Sequence, residues 1–484
     1  MSLLIRSARF LFGCVLLLLC ALPARAQSKG MCTQFFAADS KLHTKVECVE
    51  ALFSQPVWHL TFSSLPPGNG FAVGGMFDKQ TDYKSAQNKI SSTDFKLAVV
   101  GTMNGSWATI GSADLVPPMY TPSQNKAGDT CQRLGGLCTS TQLSLHLLAT
   151  HRSLQTLSFY GLGPRSAATK HTFHENDTFG IISAKLPVTN QIAGEGGVEI
   201  LQPELPATPA DPLSVSRNFT NATAPGLPSQ PTFVHPHLAL ITSARVLSNP
   251  RTDDDPMNHT GPLMKRHLLF TFDNSGEYHW YKAMSDPANS FQQVVVKSDE
   301  SLQLGSNVRR YVNVADTAGH GLGYYILEGA CGSGHPKLTD PKEYVLKVTQ
   351  QCNFGKIDVR TQVKASMTNG ASVVPFYLEP TVGGSDINSQ MSLRGYPDYR
   401  FRDRDSVFVQ AEYSVPLWDP IGFAVFYDAG TVGPKFGSLG FGHLRQDAGV
   451  GATFRLQGNT AATMYLAWGA GHGPTLGYNF SKLF

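Results

Sequence analysis

Apolar residues alternate with small or polar ones along much of this chain, a period of two that builds strands rather than helices. Over 405–415, Val407, Val409, Ala411, Tyr413 and Val415 share one face, and Ser406, Phe408, Gln410, Glu412 and Ser414 share the other, with Phe408 the break in the pattern. Over 421–428, Ile421, Phe423, Val425 and Tyr427 oppose Gly422, Ala424, Phe426 and Asp428. The same pattern recurs over 446–456, and 474–484 carries Leu476, Tyr478, Phe480 and the terminal Phe484 on one face. A strand that is apolar on one side and small or polar on the other suits a sheet with lipid outside and a wet lumen inside.

Further strands are predicted at 57–63, 70–78, 94–103, 106–112, 142–151, 154–161, 178–187 and from 196 to 201. Beyond these come 237–247, 266–273, 277–283, 291–297, 308–315, 322–329, 344–350, 356–367, 372–380 and 460–469. Asn104-Gly105 marks a tight hairpin. Candidates are too numerous for each to be a separate strand, so some are expected to be loop hairpins or halves of one strand. The segments 113–140 and 202–235, rich in Pro, Ser, Thr and Asn, read as exposed loops. The expected fold is all-β: a transmembrane antiparallel barrel of the outer-membrane type over residues 56–484.

The N-terminus changes the picture by placing the chain in an export pathway. Arg6 and Arg9 precede an apolar run from Phe10 to Leu22, and Pro23-Ala24-Arg25-Ala26 follows, the make-up of a secretory signal peptide over 1–26. The run is shorter than the ~20 residues a spanning helix needs. Residues 27–55 hold the one mature stretch with a helical pattern, Leu42, Val46, Val49 and Leu52 after a cap at Asp39 or Ser40. They are expected to form a short periplasmic or lumenal segment. An exported membrane protein with no long apolar run must span as a closed barrel, because unpaired strand edges are too costly in lipid. Its surroundings would then be outer-membrane lipid. With 46 Gly, 30 Pro and only 15% charged residues, the composition fits short strands joined by turns. A net charge of +3 implies no nucleic-acid partner.

Two segments near the C-terminus carry a resemblance to a known family. The loop before the strand at 405–415 contains Leu393-Arg394-Gly395-Tyr396, and the strand at 421–428 ends in Phe426-Tyr427-Asp428-Ala429-Gly430. Here the chain resembles the BamA/TamA outer-membrane protein superfamily, the bacterial surface antigen barrels, which carry an RGF or RGY loop motif and an FxDxG strand motif. The resemblance is strong over roughly 370–484 and fainter from about Trp58 to Leu201. It implies sixteen strands and a loop that folds back into the lumen, where Arg394 meets Asp428. By parity Gln410 and Glu412 face the same way and could complete the set. A last strand with alternating aromatics, Tyr478 and Phe480, ending in Phe484 resembles the signal by which outer-membrane proteins are recognised by the barrel-assembly machinery. Family members that assemble or translocate proteins carry POTRA domains ahead of the barrel. A folded domain rarely falls below ~50 residues, so the expected chain is a member without them. The function implied is assembly, insertion or translocation at the outer membrane, with a periplasmic partner left open. The alternatives are a transport or passive-channel barrel and a lipid-acting outer-membrane enzyme.

No catalytic signature supports the enzyme alternative. GxSxG, HExxH and a P-loop are all absent from the sequence. Cys331 replaces the first glycine of the nearest nucleophile-elbow look-alike, Ala330-Cys331-Gly332-Ser333-Gly334. The chain is therefore expected to be no enzyme and to need no cofactor or metal. His171, His174, Glu175 and Asp177 are candidate metal ligands, but a solvated loop cluster is the better reading. Asp253-Asp254-Asp255 is as well explained by an acidic turn as by a calcium site. Arg400, Arg402 and Arg404 with Asp403 and Asp405 read as a charge cluster at the loop base. Beyond the signal peptide the cysteines are Cys32, Cys48, Cys131, Cys138, Cys331 and Cys352. An even number in an exported chain favours disulfides, with every connectivity open and local pairing (32–48, 131–138, 331–352) the expectation.

Overall fold

The computed structural model describes residues 57–84, 90–117, 143–189, 191–247, 268–304, 307–308, 310–315, 321–327, 350–351, 355–418, 421–456, 459–471 and 473–480. The expected signal peptide over 1–26, residues 27–55, the six cysteines expected to pair, Asp253–Asp255, the look-alike at 330–334 and Phe484 lie outside them.

A single 16-stranded sheet dominates, and its strands follow one another in chain order with each neighbouring pair antiparallel. The strands are β1 (Trp58–Ser64), β2 (Phe71–Lys84), β3 (Ile90–Thr102), β4 (Trp107–Val116), β5 (Ser144–Phe159), β6 (His171–Pro187), β7 (Ile192–Glu204) and β8 (Phe233–Leu247). There follow β9 (Leu268–Ala283), β10 (Phe291–Leu304), β11 (Lys356–Met367), β12 (Asp405–Trp418), β13 (Ile421–Gly433), β14 (Arg445–Leu456), β15 (Asn459–Gly469) and β16 (Pro474–Phe480).

The predicted segments 142–151 and 154–161 are one strand, β5, with a register irregularity against β6 between Leu154 and Leu157. Likewise 266–273 and 277–283 join in β9. A bulge or a run of polar residues interrupts the alternation without ending the strand. The segment predicted as a strand at 372–380 is not one. Pro375 starts a 3-10 turn over Phe376–Leu378, whose aromatic side chains pack inward instead of alternating. Arg310–Ala315 and Gly321–Leu327 pair only with each other, outside the large sheet.

The sheet's two faces differ as lipid and lumen require. Val198, Ile200, Leu238, Leu240, Trp280, Phe423, Val425, Tyr427, Met464, Leu476 and Tyr478 are exposed, and all point outward by strand parity. So extensive an apolar surface on a folded chain marks contact with lipid. No helix among the described residues is long and apolar enough to cross a membrane.

Connections leave the strands alternately at two rims. The proximal rim is where β1 starts and β16 ends; the distal rim carries the β1–β2, β3–β4, β5–β6, β7–β8, β9–β10, β11–β12, β13–β14 and β15–β16 connections. Long connections occur at both rims, so the chain lacks the usual contrast of short turns on one side and long loops on the other.

One distal connection, 368–404, reaches strands spread across the whole sheet. Tyr399 donates to Pro67 O in the β1–β2 turn at 3.4 Å, and Arg402 O accepts from Gly163 N in the β5–β6 connection at 2.8 Å. Phe376 N donates to Pro225 O in the β7–β8 connection at 2.8 Å, and Gly395 O accepts from Thr475 of β16 at 3.3 Å. Gly395 and Tyr399 are four residues apart, at most about 14 Å of extended chain, whereas the outer strands of a flat sixteen-stranded sheet would lie roughly 70 Å apart. The sheet is therefore curled round this connection, with β1 and β16 on the same side of it.

The distal connections also fill the barrel mouth. Phe376 lies 5.0 Å from the Phe159 ring and 5.3 Å from Phe173, and Phe159 lies 4.8 Å from Phe219. Val215, Ala224, Phe233, Val374 and Tyr399 complete an apolar core. The segment 202–235, expected to be an exposed loop, thus contributes buried Val215 and Ala224 to this plug. Its Pro, Ser and Thr content signals irregular backbone, but backbone irregularity does not decide which side chains are covered.

A closed strand network resists detergent. The full chain should migrate faster on electrophoresis when left unheated than after boiling, with a strand-rich circular dichroism spectrum before heating. Identical mobility in both states with a helical spectrum would rule the barrel out.

Candidate functional site

The lumenal lobe of the 368–404 connection is held in shape by its own backbone. Thr381–Val382 pairs with Phe401–Arg402, Gly384 N donates to Leu393 O at 2.8 Å, and Ser392 N returns to Gly384 O at 2.9 Å. Asp398 accepts from Ser385 N at 2.8 Å, closing the lobe across its base. Tyr399 adopts φ 59°, a left-handed conformation that costs a bulky residue energy and persists here because its ring is buried in the plug.

At the lobe's tip Arg394 grips β13. Its Nε donates to Asp428 Oδ2 at 2.8 Å and its Nη2 to Oδ1 at 2.7 Å, while its backbone N also donates to Oδ2 at 3.2 Å. This is the two-pronged pairing that a planar guanidinium makes and an ammonium cannot. Nη1 bonds Glu412 on β12. The guanidinium carbon lies 3.5 Å from the centre of the Phe426 ring, a cation–π contact. Asp428 is fully buried, Arg394 nearly so, and Glu412 faces open lumen.

Each residue of the two motifs has a separate physical task. Phe426 supplies the ring beneath the guanidinium, and Asp428 supplies the carboxylate. Gly430 leaves room for the lobe: a Cβ there would come within 2.9 Å of Phe408 Cβ and 3.0 Å of Val382. Gly395 passes so close to β14 and β15 that a Cβ would lie 2.6 Å from Asp447 Cβ and from Gly469 N. Leu393 and Tyr396 are buried with Val382, Phe401, Phe408 and Val432 in a small apolar cluster. Tyr396 also donates to Gln446 O at 3.2 Å. Gln410 donates to Ser392 O at 2.6 Å, tying the lobe to β12. Phe408, the break in its strand's alternation, faces inward because the lobe covers it.

Asp447 joins this site without a motif to announce it. It stands directly opposite Asp428 in the β13–β14 register and is buried beside Gly395. One guanidinium therefore faces Asp428, Glu412 and, behind them, Asp447. Below the lobe, toward the proximal rim, lies a cavity of about 460 Å³ lined by Arg394, Gln410 and Glu412 from the site and by Asp273, Asp299 and Asp358 on the adjoining strands β9 to β11.

The base of the lobe is not the mutual charge cluster expected. Arg400 donates to Ser166 Oγ at 2.9 Å, Arg402 bonds Phe376 O, and Arg404 donates to Thr368 Oγ1 at 3.1 Å. Asp405 accepts from Ser366 N at 2.6 Å. Arg400 thus ties the lobe to the β5–β6 connection, while Arg402 and Arg404 tie it to the start of its own connection. Burial pushes the Glu379 carboxyl beside them up to about 8, with Asp403 adding to the effect and Arg402 and Arg404 opposing it.

The His171–Asp177 set is not a loop cluster. All four residues lie in β6, and His174 falls on the opposite face from His171, Glu175 and Asp177, since successive strand residues alternate. Asp177 instead bonds Arg152 at 2.6 Å. Of the C-terminal aromatics, Tyr478 is exposed on the outer face and Phe480 closes β16. A second polar constellation, on β7 to β9, was not anticipated; the alternating His235-Pro236-His237 is its one mark in the sequence.

Among solved structures, the chain is similar to BamA from Haemophilus ducreyi lacking POTRA domains 1–3, at 12% identity and TM-score 0.47, over 88% of this chain and 70% of that one. It is also similar to CdiB from Acinetobacter baumannii, at 10% identity and TM-score 0.39, over 85% of this chain and 55% of that one. No protein-family model and no curated protein matches the chain.

Removing one partner of a buried ion pair typically costs about 3–5 kcal/mol. The three carboxylates make the losses unequal. Arg394→Ala should lower the urea midpoint of the folded chain and expose the lobe to protease more than Asp428→Asn does, because it leaves like charges facing one another. Glu412→Gln, at the open edge, should do least. The double variant Arg394→Ala/Asp428→Asn should be no worse than Arg394→Ala. Additive losses would show that the two side chains act independently.

Proposed function

We propose that this chain is an outer-membrane barrel of the BamA/TamA type that assists the assembly, insertion or translocation of other molecules at that membrane. The observation that carries the reading is the two-pronged Arg394–Asp428 pair, formed between a lumenal lobe and a strand by the residues of the two motifs. A lobe anchored to the wall through a buried charge pair is a fixed internal brace, a part that a simple pore has no need to keep.

Two further features favour this over a passive channel. The apolar plug built on Phe159, Phe173 and Phe376 fills the distal mouth, which leaves little room for free diffusion. The first and last strands, β1 and β16, end the sheet, each pairing with one neighbour among the described residues. The seam between them is the natural place for such a barrel to part. A substrate that enters through such a seam meets lipid on one side and the lumen on the other. The chain's own insertion would rely on the barrel-assembly machinery reading Tyr478, Phe480 and Phe484, and a periplasmic partner would deliver its cargo.

Conductance across planar bilayers tests the reading. The purified chain should be closed or flicker briefly, and Arg394→Ala should lengthen the openings. A steady open pore in the unsubstituted chain would favour the channel instead.

Deleting Phe484 should leave the protein in the periplasm or degraded, read by membrane fractionation. Normal outer-membrane levels of the truncated chain would remove the insertion signal from the proposal.

A further inference from the structure

Below the distal plug, β7, β8 and β9 turn a compact set of imidazoles and carboxylates into the lumen. His235 Nε2 lies 2.8 Å from His279 Nδ1, and His279 Nε2 lies 3.2 Å from Glu277 Oε2. His235 Nδ1 lies 3.2 Å from Glu199 Oε2, and His237 Nδ1 lies 3.3 Å from Glu199 Oε1. Both His235 and His237 are buried, at 3% and 7% exposure.

Counting protons along this run exposes a deficit. Glu277 is fixed as an acceptor, since Lys297 Nζ sits 2.7 Å from its other oxygen. His279 must then place its proton on Nε2 to donate to Glu277, which leaves its Nδ1 a lone pair. His235 must place its proton on Nε2 to donate to that lone pair. Its own Nδ1 then points a second lone pair at the Glu199 carboxylate, acceptor against acceptor. His237 Nδ1, though 3.3 Å from Glu199 Oε1, is a further buried atom that makes no well-aligned hydrogen bond there. A neutral imidazole has one proton to give, so the run is satisfied only by an added cation.

We propose that this cation is a divalent transition metal of the Zn2+ class, held by Glu199, His235 and His279 with His237 alongside. One ligand atom from each of Glu199, His235 and His279 lies within 4.8 Å of the other two. Imidazole nitrogens with one carboxylate suit Zn2+ and its neighbours rather than Ca2+ or Mg2+, which prefer oxygen. Glu277 on His279 is the outer carboxylate that orients a ligating imidazole. The site has an apolar roof: Tyr281 stacks on His235 at 3.8 Å and on Phe291 at 4.4 Å. Gly197 gives the His237 ring its place, because a Cβ there would lie 2.7 Å from His237 Cε1. An ion here would cross-link three neighbouring strands of the wall. A shared proton could relieve the acceptor clash at one contact, whereas a metal engages all three side chains at once.

The test uses the full chain folded in detergent with free thiols alkylated, titrated with Zn2+ alone and separately with Co2+. The expected result is one Zn2+ per chain, unaffected by excess Mg2+ or Ca2+, and a visible Co2+ spectrum of four-coordinate type. Loss of an outer partner alone costs a metal site about 10–100-fold in affinity, so His279→Gln and Glu199→Gln should each weaken Zn2+ binding at least tenfold. His146→Ala, on a histidine that pairs with Asp114 elsewhere, should change it less than twofold. Bound Zn2+ should also raise the temperature at which the unheated form converts to the boiled one. If both substitutions prevent folding, Zn2+ protection of His235 and His279 from diethyl pyrocarbonate in the unsubstituted chain decides the matter. Absence of saturable binding, equal affinity in the variants, or a thiolate charge-transfer band with Co2+ would each overturn the proposal.

Discussion

An arginine placed inside a barrel must find a carboxylate, and much of this structure follows from how Arg394 does so. Reaching Asp428 requires the 381–402 lobe to descend from the distal rim. The descent requires glycine at 395 and 430, where the lobe passes closest to the wall. The lobe in turn covers Phe408 and Phe426, which would otherwise be apolar rings on a wet surface. A single directed interaction thereby sets which inward positions are aromatic, which are small and which are charged.

The balance of charge at this site is uneven. Asp428, Glu412 and Asp447 surround one guanidinium, and the cavity beneath is lined by further carboxylates from β9 to β11. Such an arrangement holds the arginine firmly, since every displacement leaves like charges less well compensated. Of the cavity's carboxylates, Asp358 is paired with Lys356 and Asp299 with Arg360, each at 2.7 Å. The plug above is the opposite, an aromatic core of the kind found in soluble domains, clamped by Arg400, Arg402 and Arg404 to backbone carbonyls and hydroxyls. The barrel is thus dry at its distal mouth and polar lower down, with the His235 and His279 constellation just beneath the boundary.

How much of this was legible depended on the range of the interaction. Parity is local, so the alternation at 421–428 is enough to aim Asp428 inward and Tyr427 outward, and the strand at 405–415 likewise aims Gln410 and Glu412. Turn chemistry is local too, and Asn104-Gly105 marks the β3–β4 connection directly. The segment 372–380 misled because Val373, Val374, Phe376 and Tyr377 look like a strand in composition, yet Val374, Phe376 and Tyr377 pack into the plug with residues of the β5–β6 and β7–β8 connections, which no local pattern encodes. His171 and His174 looked like a pair only until the strand placed them on opposite faces.

By itself the sequence determined the class of fold, the faces of most strands and the identity of the arginine and aspartate whose motifs stand out. These rest on a two-residue period and on chemistry carried by neighbours in the chain. Only the tertiary structure decided that Asp447 stands behind Asp428, that Phe408 is covered, that segment 202–235 is part of a plug, and that Glu199, His235 and His279 lie together. Each of these joins residues on different strands or connections. Their meeting is settled by sheet register, by the curl of sixteen strands round one loop and by the packing of that loop, none of which leaves a period along the chain.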